Sequence, residues 1–121
     1  MNLFILFYVK AREGFMRIVL FFCLLITANS VFSKEIIVEI VKKQYIPAEI
    51  TIVEGDTVIW KNIEKRQYHS VWFKQFDKEE PDYFFPDETY QRSFDKAGGF
   101  PYECGPHPQM KGKVIVVKKV N

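Results

Sequence analysis

The chain has 121 residues, 48% of them apolar and 26% charged, with 17 Lys+Arg against 15 Asp+Glu. That length fits one ordinary domain, and a formal net charge of +2 does not give the basic footprint of a nucleic-acid-binding protein. Of its two cysteines, Cys23 falls in a segment read as a leader, so no internal disulfide is expected to tie the domain.

In chain order, the first element is a targeting segment. Met16-Arg17 supplies a charged start, IVLFFCLLITA an apolar run, and Val31 and Ser33 the spacing of a signal-peptidase site. Cleavage is expected after Ser33, giving a signal peptide over 1–33 and a single domain over 34–121. The apolar run is shorter than the roughly 20 residues that a spanning helix needs, which disfavours a retained anchor. The stretch MNLFILFYV, ahead of Lys10, Arg12 and Glu13, reads as an extension upstream of a true start at Met16, or as the first part of a two-part leader. Removing 1–33 takes away three bases and one acid, leaving 14 of each sign in 88 residues, so the mature charge is near zero. A domain this small buries a modest core.

The rest of the chain reads as short strands, with no convincing helical period. Ile36, Val38 and Ile40 are expected to face one way, with Glu35, Glu39 and Lys43 on the other side. Ile46, Ala48, Ile50 and Ile52 are expected to share a face, with Pro47 marking an edge or bulge. Glu54-Gly55-Asp56 is a turn signal. Val58 and Trp60 point inward from a strand over 57–62, and IEKRQ follows as a polar loop. His69, Val71 and Phe73 alternate with Ser70, Trp72 and Lys74, as in a further strand. KQFDKEEPDYFFPDE is an irregular connection that could hold a short helical turn. Its acids, from Asp77 to Glu88, read first as a solvated loop and second as a charge that steers a cationic cytochrome. Tyr90, Arg92 and Phe94 open another strand, and Lys96-Ala97-Gly98-Gly99 looks like a hairpin turn. Phe100, Tyr102 and Cys104 share a face, and Gly112–Lys118 closes the pattern. Six or seven such strands indicate an all-β antiparallel sandwich or barrel.

Chemistry concentrates in His69 and in YECGPHPQMKG, which carries Cys104, His107 and Met110. Two imidazoles, one thiol and a weak thioether form the ligand set of a blue-copper electron-transfer site. A lone thiol in an exported protein is a liability unless it is used. Singly, each residue has an ordinary explanation: a hydrogen-bonded histidine, a loop histidine, a core methionine, a buried thiol. Their joint spacing, C-x2-H-x2-M with an upstream His, reverses those odds. Zinc competes less well, since structural zinc sites take four Cys/His ligands. Pro106 and Pro108 bracket His107 and stiffen the loop.

The loop YECGPHPQMKGKVIV and the upstream YIPAEITIVEGDTVIWKN before His69 resemble the cupredoxins, the type 1 blue copper proteins. The short loop is most like that of the amicyanins. The resemblance spans essentially the whole mature chain. It implies a Greek-key β-sandwich, one type 1 copper held by His69, Cys104, His107 and Met110, and periplasmic electron transfer. It further implies transient partners such as a c-type cytochrome or a dehydrogenase, in a monomer with no nucleic-acid role, no catalysis and no stable membrane insertion. Many cupredoxins carry Asn after the first His to tie the two ligand loops; this chain has Ser70. Where amicyanins tend to have an aromatic residue, it has Gln109. A periplasmic copper chaperone or storage protein using the same ligands is the alternative.

Overall fold

In Glu35–Val41 (β1), inward and outward positions alternate with the two-residue period of a strand: Val38 and Ile40 are fully buried, while Glu35, Ile37 and Glu39 are exposed. The other strands are Gln44–Ile46 (β2), Glu49–Val53 (β3), Thr57–Asn62 (β4), Thr89–Ser93 (β5), Gly98–Glu103 (β6) and Lys111–Val117 (β7). This computed structural model describes residues 12–14, 16, 17 and 32–120. The chain divides into two units, Met1–Phe32 and Ser33–Asn121. The expected leader, apart from those few positions, lies outside the described residues, as does Cys23. No helix among the described residues is long and apolar enough to cross a membrane.

The strands form two sheets, one in the order β2-β1-β4-β5 and the other β3-β7-β6. The expected β-sandwich is present, but its sheets are mixed rather than purely antiparallel. β1 runs parallel to β4, with Val38 opposite Trp60, and β3 runs parallel to β7. The cause is a change of sheet at Pro47: β2 belongs to one layer and β3 to the other, and β4 then returns beside β1. A half-buried strand alternates in the same way whichever direction its neighbour runs, so composition does not reveal the pairing.

Three local expectations are corrected. Tyr45 is buried while Ile46 and Ala48 are exposed, so the inward face slips by one residue before Pro47; such a slip exchanges the two faces of a strand. Lys96–Gly99 is not a hairpin turn, because β5 pairs with β4 while β6 pairs with β7 across the sandwich. The residues after His69 form no regular strand. They make two isolated bridges, His69 to Phe84 and Trp72 to Glu103.

The core lies between the layers. Val38, Ile40, Val58 and Trp60 meet Ile50, Ile52, Tyr102, Val114 and Val116, and Val71, Phe73 and Phe94 join from the connections. Trp60 stands edge-on to Tyr102, with ring centroids 5.3 Å apart, and to Phe73 at 6.0 Å. Tyr102 in turn lies directly against the Cα of Gly112, where a Cβ would strike its ring. At the far end, buried Asp56 accepts hydrogen bonds from the Lys34 and Val53 main chains, 3.0 Å each, and so closes the 54–56 turn.

Candidate metal centre

Two segments converge at one end of the sandwich. The connection after β4 folds back along β6: Trp72 N–H donates to Glu103 O (2.8 Å) and Glu103 N–H to Trp72 O (3.1 Å). That pairing carries His69 to Cys104, the residue that follows β6. On the other side, His69 and Phe84 exchange main-chain hydrogen bonds of 3.1 and 2.9 Å, which hold the irregular 74–88 segment against it.

The 104–110 loop is closed by its own backbone. Cys104 N–H donates to Met110 O (3.1 Å), and Met110 N–H to His107 O (2.9 Å). With Pro106 and Pro108 fixing φ on both sides of His107, few loop conformations remain.

Three of the four residues singled out from sequence meet as a cluster. Their donor atoms lie within 4.8 Å of one another. Cys104 Sγ is 3.7 Å from His69 Nδ1 and 3.6 Å from His107 Nδ1. The two imidazole rings are 5.0 Å apart. His69 and Cys104 are wholly buried, and His107 is partly exposed. Met110 is also buried.

These separations fit a metal ion. Bonds of about 2.0 Å to nitrogen and about 2.3 Å to sulfur, at near-tetrahedral angles, put the two donor atoms about 3.6 Å apart. A hydrophobic, water-poor surround pushes the Cys104 thiol above its ordinary pKa, partly offset by main-chain hydrogen bonds. Burial likewise holds His69 below its ordinary value, opposed by the Glu64 carboxylate. Both shifts favour the neutral forms, so the pocket without metal holds a thiol and a neutral imidazole. A cation arriving there would displace the thiol proton.

Sequence reasoning noted Ser70 only as a departure from the usual Asn, placed it on the outer face, and missed the other supporting residues. Ser70, expected on the outer face, is fully buried and ties the two segments at several points. Its N–H donates to Cys104 Sγ (3.4 Å), its Oγ accepts from Gly105 N–H (2.8 Å), and its carbonyl accepts from Tyr45 Oη (2.6 Å). Glu64 places Oε1 3.6 Å from His69 Nε2 and also accepts from Lys43 N–H. At that distance the carboxylate faces the ring without a hydrogen bond to it, and its charge opposes the effect of burial on His69. Fully buried Asn62 holds the intervening loop, donating to Gln67 O (2.8 Å) and accepting from Glu64 N–H (3.1 Å). Asn62 had a legible signal, a polar residue on the inward period of Val58 and Trp60. Ser70 was marked only by standing after His69, where many cupredoxins carry Asn, and Glu64 carried no signal beyond its place in a polar loop.

Fold and site together define a small mixed β-sandwich with a His-Cys-His-Met arrangement typical of type 1 copper. A family model for the cupredoxin-like domain matches residues 14–116. The chain belongs to that family. It is 38% identical over 95 residues to amicyanin from Paracoccus versutus, covering 75% of this chain and 71% of that protein. Amicyanin-alpha from Methylorubrum extorquens is 39% identical over 83 residues, 65% of this chain and 69% of the relative. The crystal structure of Paracoccus versutus amicyanin superposes with a TM-score of 0.63 at 37% identity, covering 73% and 86% of the two chains. A solved Cu(I) form of an amicyanin variant gives a TM-score of 0.65 at 34% identity, over 73% and 87%.

Proposed function

We propose that His69, Cys104, His107 and Met110 hold one copper ion and that the protein shuttles single electrons between periplasmic redox proteins. The observation that carries the reading is the approach of two imidazole nitrogens to one buried sulfur at 3.6 and 3.7 Å. The Cu(I) amicyanin fold, shared at 34% identity, supports copper over zinc. When bound, the ion supplies a one-electron couple.

The chain's own residues supply rigidity. Ser70 and the two bracketing prolines hold the donors in place, so little reorganisation accompanies a change of charge. Cys104 contributes an anionic sulfur once its proton leaves, and the imidazoles contribute neutral nitrogen. His107 is the more exposed of the two histidines and offers the shorter path to a partner. A carrier rather than an enzyme is the inference from the family. Export to the periplasm, with cleavage near Ser33, is supported by the charged start at Met16-Arg17, the apolar run after it and the small residues at Val31 and Ser33.

The test is a visible spectrum of the copper-loaded protein with its Cys104→Ser and His107→Ala variants. An intense band is expected in the wild type, lost in Cys104→Ser and strongly altered in His107→Ala. An unchanged band in Cys104→Ser would refute the ligand assignment. Reversible voltammetry and slow loss of copper to a chelator separate a carrier from a chaperone or storage protein, which must release metal readily.

A further inference from the structure

Three aromatic rings stand in the open beside the centre. His69 and Phe84 bridge with both side chains buried, and Tyr68, Tyr83 and Phe85 beside them project outward, while Ser70 on the other side of His69 turns inward. Tyr68, Tyr83 and Phe85 are 42%, 43% and 54% exposed. Tyr68 stacks on Tyr83 with centroids 5.2 Å apart and planes 20° from parallel, and its ring lies 5.8 Å from that of Phe85. Single exposed apolar residues are ordinary, but a contiguous aromatic patch marks an interaction surface.

The patch is held rigidly. Phe85 N–H donates to Glu88 Oε2 (2.7 Å), Glu88 N–H to Phe85 O (3.0 Å) and Asp87 N–H to Asn62 O (2.9 Å). Preformed aromatic anchors lose little entropy on binding. The patch also adjoins the metal cluster: Tyr68 precedes His69, and the Glu80 side chain packs against Gly105, next to Cys104.

Its surroundings are acidic. Asp77 is paired with Arg92. Glu79, Glu80, Asp82, Asp87 and Glu88 are exposed, and none forms an ion pair among the described residues. The nearby bases, Lys78, Lys65 and Arg66, leave the region acidic on balance. A second copy of this chain docked by the same patch would bring these carboxylates together.

We propose that Tyr68, Tyr83 and Phe85 form the docking surface for a redox protein that presents lysine and arginine around its own centre. The inference rests on the electron-carrier reading and names the partner's chemistry. Cationic side chains lie over tyrosine and phenylalanine faces, while the acidic surround speeds encounter.

A lysine-rich c-type cytochrome serves as probe, with the copper-loaded full chain in stopped flow. Glu79→Gln/Asp82→Asn/Asp87→Asn should lower the second-order rate constant about tenfold at low salt and flatten its ionic-strength dependence. Tyr83→Ser/Phe85→Ser should lower it roughly tenfold at every salt concentration, while Tyr83→Phe/Phe85→Tyr keeps the wild-type rate. Reduction by ascorbate and the visible band should stay unchanged throughout. Unaltered cytochrome rates with the band intact overturn the proposal. So does a wild-type dimer that Tyr83→Ser/Phe85→Ser dissociates, since the occupant is then a second copy. A missing band in the wild type counts against the copper reading, and the docking face is then judged by titrating isotope-labelled protein with the cytochrome. Shifts at Tyr68, Tyr83 and Phe85 support it, and their absence overturns it.

Discussion

Replacing Ser70 with Ala isolates the side-chain part of the tie between the two ligand segments. Ser70 Oγ accepts the Gly105 N–H at 2.8 Å, in a position with no exposure to solvent. The Ser70 N–H bond to Cys104 Sγ and the Tyr45 Oη bond to Ser70 O involve the main chain of residue 70, so they survive the change. What is lost is one acceptor, which leaves the Gly105 N–H unpaired. An unsatisfied buried donor costs about 1–3 kcal/mol. For a domain of this size each kcal/mol lowers Tm by about 4–8 °C, so a fall of roughly 5–20 °C is expected in calorimetry of the metal-free protein. The same loss loosens Gly105 beside Cys104. Copper should then pass to a chelator roughly 5- to 100-fold faster, at tenfold per about 1.4 kcal/mol. Tm within about 1 °C of wild type together with an unchanged release rate would refute the reasoning, because residue 70 would then couple the loops through its backbone alone.

Gly112→Ala should destabilise the fold by about 1–3 kcal/mol, since the new Cβ meets the buried Tyr102 ring. Gly105→Ala should be much milder in the same denaturant titration, because the atoms it meets belong to the flexible end of Glu80. Lys42 and Lys43 both sit at positive φ, 53° and 54°, in the two-residue β1–β2 turn. Lys42→Asn/Lys43→Gly should therefore raise stability by about 0.5–1 kcal/mol, read as a higher urea midpoint. The metal-free protein should show a stability plateau between about pH 6.5 and 9, measured by Tm against pH. Below 6.5 the unfolded chain takes up the proton that buried His69 resists, so stability falls as pH falls. Above 9.0 the unfolded Cys104 ionises before the folded one, so stability falls as pH rises. Tyr45, raised by burial, and Tyr102, pushed up to about 12, extend that alkaline limb above 10. Copper loading at pH 7 should release about one proton per ion from Cys104, counted by calorimetry in buffers of different ionisation enthalpy.

The strand alternation in β1, β4 and β7 and the C-x2-H-x2-M spacing were legible in the residue order, because each depends on contacts between near neighbours. So were the turn at Glu54–Asp56, where Gly55 adopts φ 94°, and the polar loop after Asn62. The inward-facing Tyr45 was not. Alternation around Pro47 is ambiguous when the chain changes sheet there, and which side is buried depends on a layer formed elsewhere. Nor does a Lys-Lys pair signal a positive-φ turn; here Glu64, 21 residues on, accepts from the Lys43 N–H.

From sequence alone came the class of fold, the ligand types and their order along the chain. These follow from side-chain chemistry and local periodicity. The tertiary structure decided the mixed pairing of the sheets, the burial of Ser70 between the ligand segments, the carboxylate beside His69 and the aromatic face above it. Apart from Glu64, which lies in the loop just before His69, each arises where distant segments are pressed together, and such contacts leave no mark in local residue order.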